Sequence, residues 1–251
     1  MPSTTKVLEH CSSPYNTVVV RKRQQRIDFD VEGATFATWH PVRFLTGYSW
    51  DAITAGCLLH PGRARSLLLL GLAGGTVIRQ LSRGMKELRC TSVEIDPALV
   101  MLGQKYMELD PGCTEIIIDD AYLFLARSRR RFDIIIDDVY RTGPDDVERP
   151  DIPIADVLGR IHRRLAPGGI SIMNFVIGDH HDALYNRART LFCERFPAVT
   201  MIQPPKGYNA ILVGGEQLRN SVAIRAGALH FPHTADQRIW QALKARRLKT
   251  E

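Results

Sequence analysis

RSLLLLGLAGGTVIRQLSR, from Arg65 to Arg83, passes from strand to turn to helix within one short run. Ser66 to Leu70 is almost wholly apolar, as suits a central parallel strand covered on both faces. Gly71, Ala73, Gly74 and Gly75 then form a turn of small residues, where the backbone can pass close to a ligand at the carboxyl edge of a sheet. The same logic repeats downstream. LRCTSVEID (88–96) reads as a second strand, with Pro97 opening a helix. TEIIIDD (114–120) and RFDIIIDD (131–138) read as the third and fourth strands. A helix over 154–166 leads to a fifth strand at 168–176, another helix follows over 182–196, and short strands lie around VTMIQ and NAILVGG. Strands alternating with helices at this spacing specify an α/β fold, a Rossmann-like, doubly wound, mostly parallel sheet.

Outside this core, residues 15–40 alternate apolar and polar positions and suggest a small antiparallel β unit, so the expected divisions are an N-terminal β appendage (1–48), a catalytic domain (49–220) and a C-terminal extension (221–251). The tail DQRIWQALKARRLKTE, 236–251, reads as an amphipathic basic helix. At 251 residues with 45% apolar and 24% charged residues, the chain fits one sizeable domain with an appendage. No apolar run is long enough to cross a bilayer, and the start MPSTTKVLEH lacks the apolar segment of a secretory signal, so a cytoplasmic protein is expected. Five scattered cysteines without CxxC spacing argue against a zinc site or a disulfide scaffold. The net charge of +6 is spread over RKRQQR (21–26), RSRRR (127–131) and KARRLK (244–249), without aromatic interleaving, so solvated faces are favoured over a nucleic-acid surface.

Four successive strand ends bring Gly71, Glu94, the pair Asp119–Asp120 and the pair Asp137–Asp138 to one edge. An acid at Glu94 suits two ribose hydroxyls, and a carboxylate from the third strand end, Asp119-Asp120-Ala121, suits an adenine amine. In each of the pairs Asp119–Asp120 and Asp137–Asp138, strand alternation sends only one carboxylate to the pocket. GLAGGT does not supply G-x-G-x-x-G, which disfavours a dinucleotide. His180–His181 reads as loop rather than metal ligand, and no metal is assigned. Trp39, His40, Tyr48 and Trp50 stand where they can pack the appendage or build a lid, and Tyr208 lies in a proline-glycine turn that can reach an acceptor.

SPYNTVVV, LLLLGLAGGTVIRQL, TSVEIDPALV, IIIDDAYLFLA, RFDIIIDDVY and RRLAPGGISIMN together resemble the spermidine synthase family of aminopropyltransferases and its methyltransferase-fold relatives, from about Ser13 to about Gly215. The resemblance implies a small N-terminal β domain before a Rossmann-like catalytic domain, a homodimer, ribose binding by Glu94, adenine binding by Asp120 and a catalytic acid at Asp138. The departures bear on the reaction. Gly74 stands where the family has an Asp that holds the donor's amine, and Asp138-Val139-Tyr140-Arg141 replaces D-S-S-D. Arg141 disfavours a diammonium acceptor. Trp50-Asp51-Ala52 replaces the family's Y-x-E. A turn with free N–H groups and no Asp suits a donor carboxylate. The expected activity is therefore S-adenosylmethionine-dependent methyl transfer to a small-molecule acceptor, with Asp138 as base and Tyr140 beside it. Aminopropyl transfer from decarboxylated S-adenosylmethionine, a cyclisation, and a non-catalytic basic binding protein stand as alternatives.

Overall fold

Parallel strands need crossovers, and the apolar runs provide strands while the periodic segments between them provide the crossover helices. The computed structural model describes residues 5–248. In chain order the elements are β1 (Thr5–Ser12), β2 (Thr17–Arg23), β3 (Arg26–Val31), β4 (Ala34–Trp39), α1 (Ser49–Cys57), β5 (Ser66–Leu70), α2 (Thr76–Gly84), β6 (Arg89–Glu94), α3 (Pro97–Tyr106), β7 (Thr114–Ile118), α4 (Ala121–Arg127) and β8 (Phe132–Asp137). Then come β9 (Arg141–Thr142), β10 (Val147–Glu148), α5 (Ile154–Arg164), β11 (Leu165–Val176), α6 (Asp182–Arg195), β12 (Ala198–Gln203), β13 (Asn209–Gly215), α7 (Val222–Ala226), α8 (Thr234–Gln241) and β14 (Lys244–Leu248).

Eight strands form the main sheet in the order β14-β12-β13-β11-β8-β5-β6-β7. β11, β8, β5, β6 and β7 run parallel, and β13, β12 and β14 extend the sheet antiparallel. The central strand shows why LLLL was needed. Leu67 and Leu69 pack into a core with α1 and α2, whereas Leu68 and Leu70 pack on the opposite face with α4, α5 and α6. From β5 the chain winds outward through β6 and β7, then returns to β8 on the other side of β5. That reversal opens a crevice at the carboxyl ends of β5 and β8.

The appendage is a four-stranded antiparallel sheet, β1-β2-β3-β4, in which Val18, Val20, Phe29 and Val31 pack on Leu99 and Leu102 of α3. It begins earlier than the alternation at 15–40 suggested, because β1, a mostly exposed edge strand, has little apolar face to signal it. The β1–β2 turn is tied to the main domain by Asp96. One carboxylate oxygen accepts from the Ser13 hydroxyl and the Asn16 amide, both at 2.7 Å, and the other caps α3 through Ala98 N at 2.9 Å. The SPYN and VEID motifs are thus one structural unit.

The expected basic helix over 236–251 is corrected. α8 ends at Gln241, and Lys244–Leu248 is a strand paired with β12. The sequence reading missed the unpaired edge of β12, which offers backbone partners that an isolated helical turn lacks. Exposed Arg246 and Arg247 on β14 then suit an outer strand. Residues 249–251 of that helix, and 1–4 of the appendage, lie outside the described residues. Among the described residues no helix is long and apolar enough to cross a membrane.

Candidate active site

The crevice is a cavity of about 730 Å³, within the size range of small-molecule sites. Its floor is the strand-end turns carrying Gly71, Leu72, Ala73, Glu94, Asp120, Ala121 and Asp138. Its roof comes from the appendage, with Tyr15, Arg26 and Phe36 among others, and its far wall carries Tyr48, Trp50, Tyr140, Arg141 and Asn174.

Gly71 has φ +84°, and a Cβ there would lie 2.5 Å from the Asp138 carbonyl oxygen, so only glycine lets the β5 turn meet the β8 end. Asp138 N donates to Leu70 O at 2.9 Å and completes that junction. Glu94 is buried at 7% exposure, and one of its oxygens accepts from Leu72 N at 3.0 Å and Ala73 N at 2.7 Å. The other accepts from Asp96 N at 3.1 Å. Burial raises the Glu94 pKa, and the backbone donors oppose that rise. The same bonds hold Ala73 at φ +47°, a left-handed conformation that alanine rarely adopts. Leu72 N and Ala73 N are engaged by Glu94, Gly71 N by Val93 O and Gly75 N by Leu72 O, both at 3.0 Å, so the expectation that the turn's N–H groups stand free is corrected for these four.

Asp120 caps α4, with Oδ1 accepting from Tyr122 N and Leu123 N at 2.8 Å. Its other oxygen has no protein partner among the described residues. Asp119 turns away to pair with Arg127. The second acidic pair divides in the same manner. Asp137 is buried and ion-paired with Arg149 at 2.6 Å, while Asp138 faces the cavity. Burial pushes the Asp138 carboxyl up to about 7. The Asn174 amide, donating at 2.8 Å, opposes that rise, the neighbouring Asp137 charge adds to it, and Arg149 opposes it. A carboxylate so poised can accept a proton near neutrality.

Four sequence assignments are corrected. Gly74 does not line the cavity: a Cβ there would meet Met107 Sδ at 2.6 Å, Ala37 Cβ at 2.7 Å and Phe29 Cε2 at 2.9 Å, so its smallness serves packing between the appendage and α3. Gly75 likewise lies outside the lining, at φ +86° and against Leu109. Tyr208 is 79% exposed and also outside it. Tyr140 lines the cavity with its ring, but its hydroxyl donates to Asn174 O and accepts from Val176 N, both at 3.0 Å. With burial pushing its pKa up to about 12, that hydroxyl is a structural tie rather than a proton carrier.

Arg141 does line the cavity, paired with Glu148 across the β9–β10 ribbon at 2.8 Å, which offsets the repulsion expected toward a cationic acceptor. Tyr48 and Trp50 reach the wall, whereas Trp39 bonds Glu108 and His40 accepts from Val42 N and Arg43 N. Asp51 faces away from the cavity; it is buried and accepts from Thr46 N, Gly47 N and the Gln80 amide. His181 pairs with Asp146 at 3.0 Å, and no cluster of three or more His, Cys, Asp or Glu residues suited to a metal occurs among the described residues. Sequence reading missed Arg149 and Asn174. Arg149 sits in the polar run DDVERPD and Asn174 inside a strand, and neither position carries a periodic or motif signal.

No protein-family model matches the chain. A probable polyamine aminopropyl transferase of Bifidobacterium longum is 30% identical over 131 residues, 52% of this chain and 28% of that protein. A probable spermidine synthase from Corynebacterium glutamicum superposes with a TM-score of 0.70 at 18% identity, covering 90% of this chain and 87% of that one. The chain shares the fold of that protein. It is also similar in fold to human methyltransferase-like protein 13 in complex with SAH, with a TM-score of 0.61, 21% identity, and coverage of 75% of this chain and 91% of that one. The matched stretches span less than a third of the length of the first curated relatives.

Proposed function

We propose that this protein is an S-adenosylmethionine-dependent transferase that methylates a small-molecule acceptor. The observation that carries the reading is the convergence of Glu94, Asp120 and Asp138 on one cavity at the switch point of the sheet. The buried Glu94 carboxylate at the end of β6 keeps one free acceptor site on Oε1 for a ribose hydroxyl, the unpartnered oxygen of Asp120 suits an exocyclic amine, and Val93, Ile95 and Leu99 offer apolar lining for a purine. The donor supplies an electrophilic methyl on a sulfonium; the acceptor's lone pair forms the new bond, and the carbon–sulfur pair stays on sulfur. Asp138 takes the acceptor's proton, and the appendage roof excludes water while the reactants are held in line.

Both donors carry an ammonium and only S-adenosylmethionine adds a carboxylate, so methyl transfer is favoured over aminopropyl transfer by a turn that holds no acid to repel that carboxylate. The packing around Gly74 leaves no room for such an acid. Aminopropyl transfer remains the second reading, favoured by the Arg141–Glu148 pair, which lessens the barrier to a cationic acceptor. The products separate them. Incubation with each donor and a pool of small amines, phenols and carboxylates is expected to yield S-adenosylhomocysteine from S-adenosylmethionine. Formation of methylthioadenosine from the decarboxylated donor alone would reverse the assignment.

A further inference from the structure

Arg149 is the most fully engaged charged side chain of the site. It leaves the β9–β10 ribbon, which closes one side of the cavity, and runs inward to an almost fully buried position. Its guanidinium donates to Asp137 Oδ2 at 2.6 Å, to the Tyr122 hydroxyl at 2.7 Å and to the Asn174 carbonyl at 3.1 Å. The rings of Tyr140 and Phe175 lie 5.5 Å and 5.3 Å from its centre. One cation therefore joins the ribbon to β8, to β11 and to the start of α4. Both β8 and β11 carry a group that touches the cavity beside it: Asp138 follows Asp137, and the Asn174 side chain donates to Asp138 while accepting from Asn209 at 3.0 Å.

We propose that Arg149 is a positioning residue for Asp138: it neutralises Asp137 and fixes Asn174, so that a single ionisable acid faces the acceptor. This rests on the reading of Asp138 as the base. Without a cation, two adjacent carboxylates in a poorly hydrated site compete for one proton, and the cavity acid stays protonated where it must accept. The ionisable groups around Asp138 are Asp137 on its own strand, Arg149 from the ribbon and the Tyr140 hydroxyl. Tyr122, from α4, reaches the pair through Asp137. Asp137 and Arg149 act on Asp138 in opposite directions, which a purely structural tie would not do.

The test needs no acceptor. Infrared difference spectra of the full chain, titrated from acid to alkaline pH, follow the Asp138 carboxyl, and Asp138→Asn assigns its signal. Arg149→Met is expected to raise the proton affinity of Asp138 by about tenfold, and Asp137→Asn to lower it by a similar factor. Asp137→Asn keeps the volume of the site and so tests the role even where Arg149→Met does not fold. Midpoints equal to the wild type, or moving the same way in both variants, would overturn the role of Arg149 alone. A signal that survives Asp138→Asn would remove the base assignment, and this role with it.

Discussion

Glu94→Gln is expected to weaken S-adenosylhomocysteine binding by about a hundredfold. The carboxylate is buried, faces the cavity and is held by three backbone N–H groups, from Leu72, Ala73 and Asp96. Those donors fix its position and occupy three of its roughly four lone-pair sites, which leaves Oε1 one site for a ribose hydroxyl. An amide has one acceptor oxygen, so it must turn its NH₂ either toward the backbone donors or toward the ribose. A charge-assisted hydrogen bond contributes roughly 1.5–3 kcal/mol, and losing it while a backbone donor is left facing the amide NH₂ corresponds to about two decades in affinity. Isothermal calorimetry reads the change directly, with far-UV circular dichroism as the check on folding. Affinity within a few-fold of the wild type would mean that the nucleoside lies elsewhere.

Asp138→Asn is expected to stabilise the protein at alkaline pH and to lower turnover by roughly two to four decades, the usual contribution of a general base. The sign follows from its carboxyl, which titrates near 3.8 in the unfolded chain and at about 7 in the fold, chiefly because it is buried. Between those values the folded state keeps a proton that the unfolded state has released. The stability contributed by Asp138 is therefore complete below about pH 4, declines as pH rises toward 7, and is absent above it. Substitution by asparagine removes that decline. The gain over wild type near pH 8 should exceed the gain near pH 5 by on the order of 2 kcal/mol, read from urea denaturation at both pH values. Equal differences at the two values would show that Asp138 is not held in a proton-retaining environment. A residue whose removal stabilises the chain yet abolishes its chemistry is typical of a functional acid.

The fold was legible wherever a physical pattern repeats. Continuous apolar runs at 66–70 and 134–136 became strands covered on both faces, and alternation in the doubled acids Asp119–Asp120 and Asp137–Asp138 implied that one member of each pair faces the cavity, as Asp120 and Asp138 do. Glu94 and the two acid pairs were legible because strand ends in a parallel sheet converge, and the family resemblance singled out Asp120 and Asp138 within the pairs. What failed depended on contacts distant in sequence. Gly74 reads as a ligand-facing glycine within its turn, yet Phe29, Ala37 and Met107 occupy the space around it. Lys244–Leu248 has the composition of a basic helix but pairs with β12. Arg149 reads as a loop charge, and only its approach to Asp137 gives it a role. The N–H groups of Leu72 and Ala73 read as open to a ligand until Glu94 is placed against them.

The central claim is that the cavity holds an adenosyl donor with its amino-acid part intact. Calorimetric titration of S-adenosylmethionine, S-adenosylhomocysteine, decarboxylated S-adenosylmethionine and methylthioadenosine into the wild-type protein at fixed salt tests it most directly. The account predicts that the two carboxylate-bearing ligands bind at least about tenfold more tightly than the other two, a difference of roughly 1.4 kcal/mol. Preference for the decarboxylated pair would return the site to aminopropyl transfer, and no binding of any of the four would contradict the account outright.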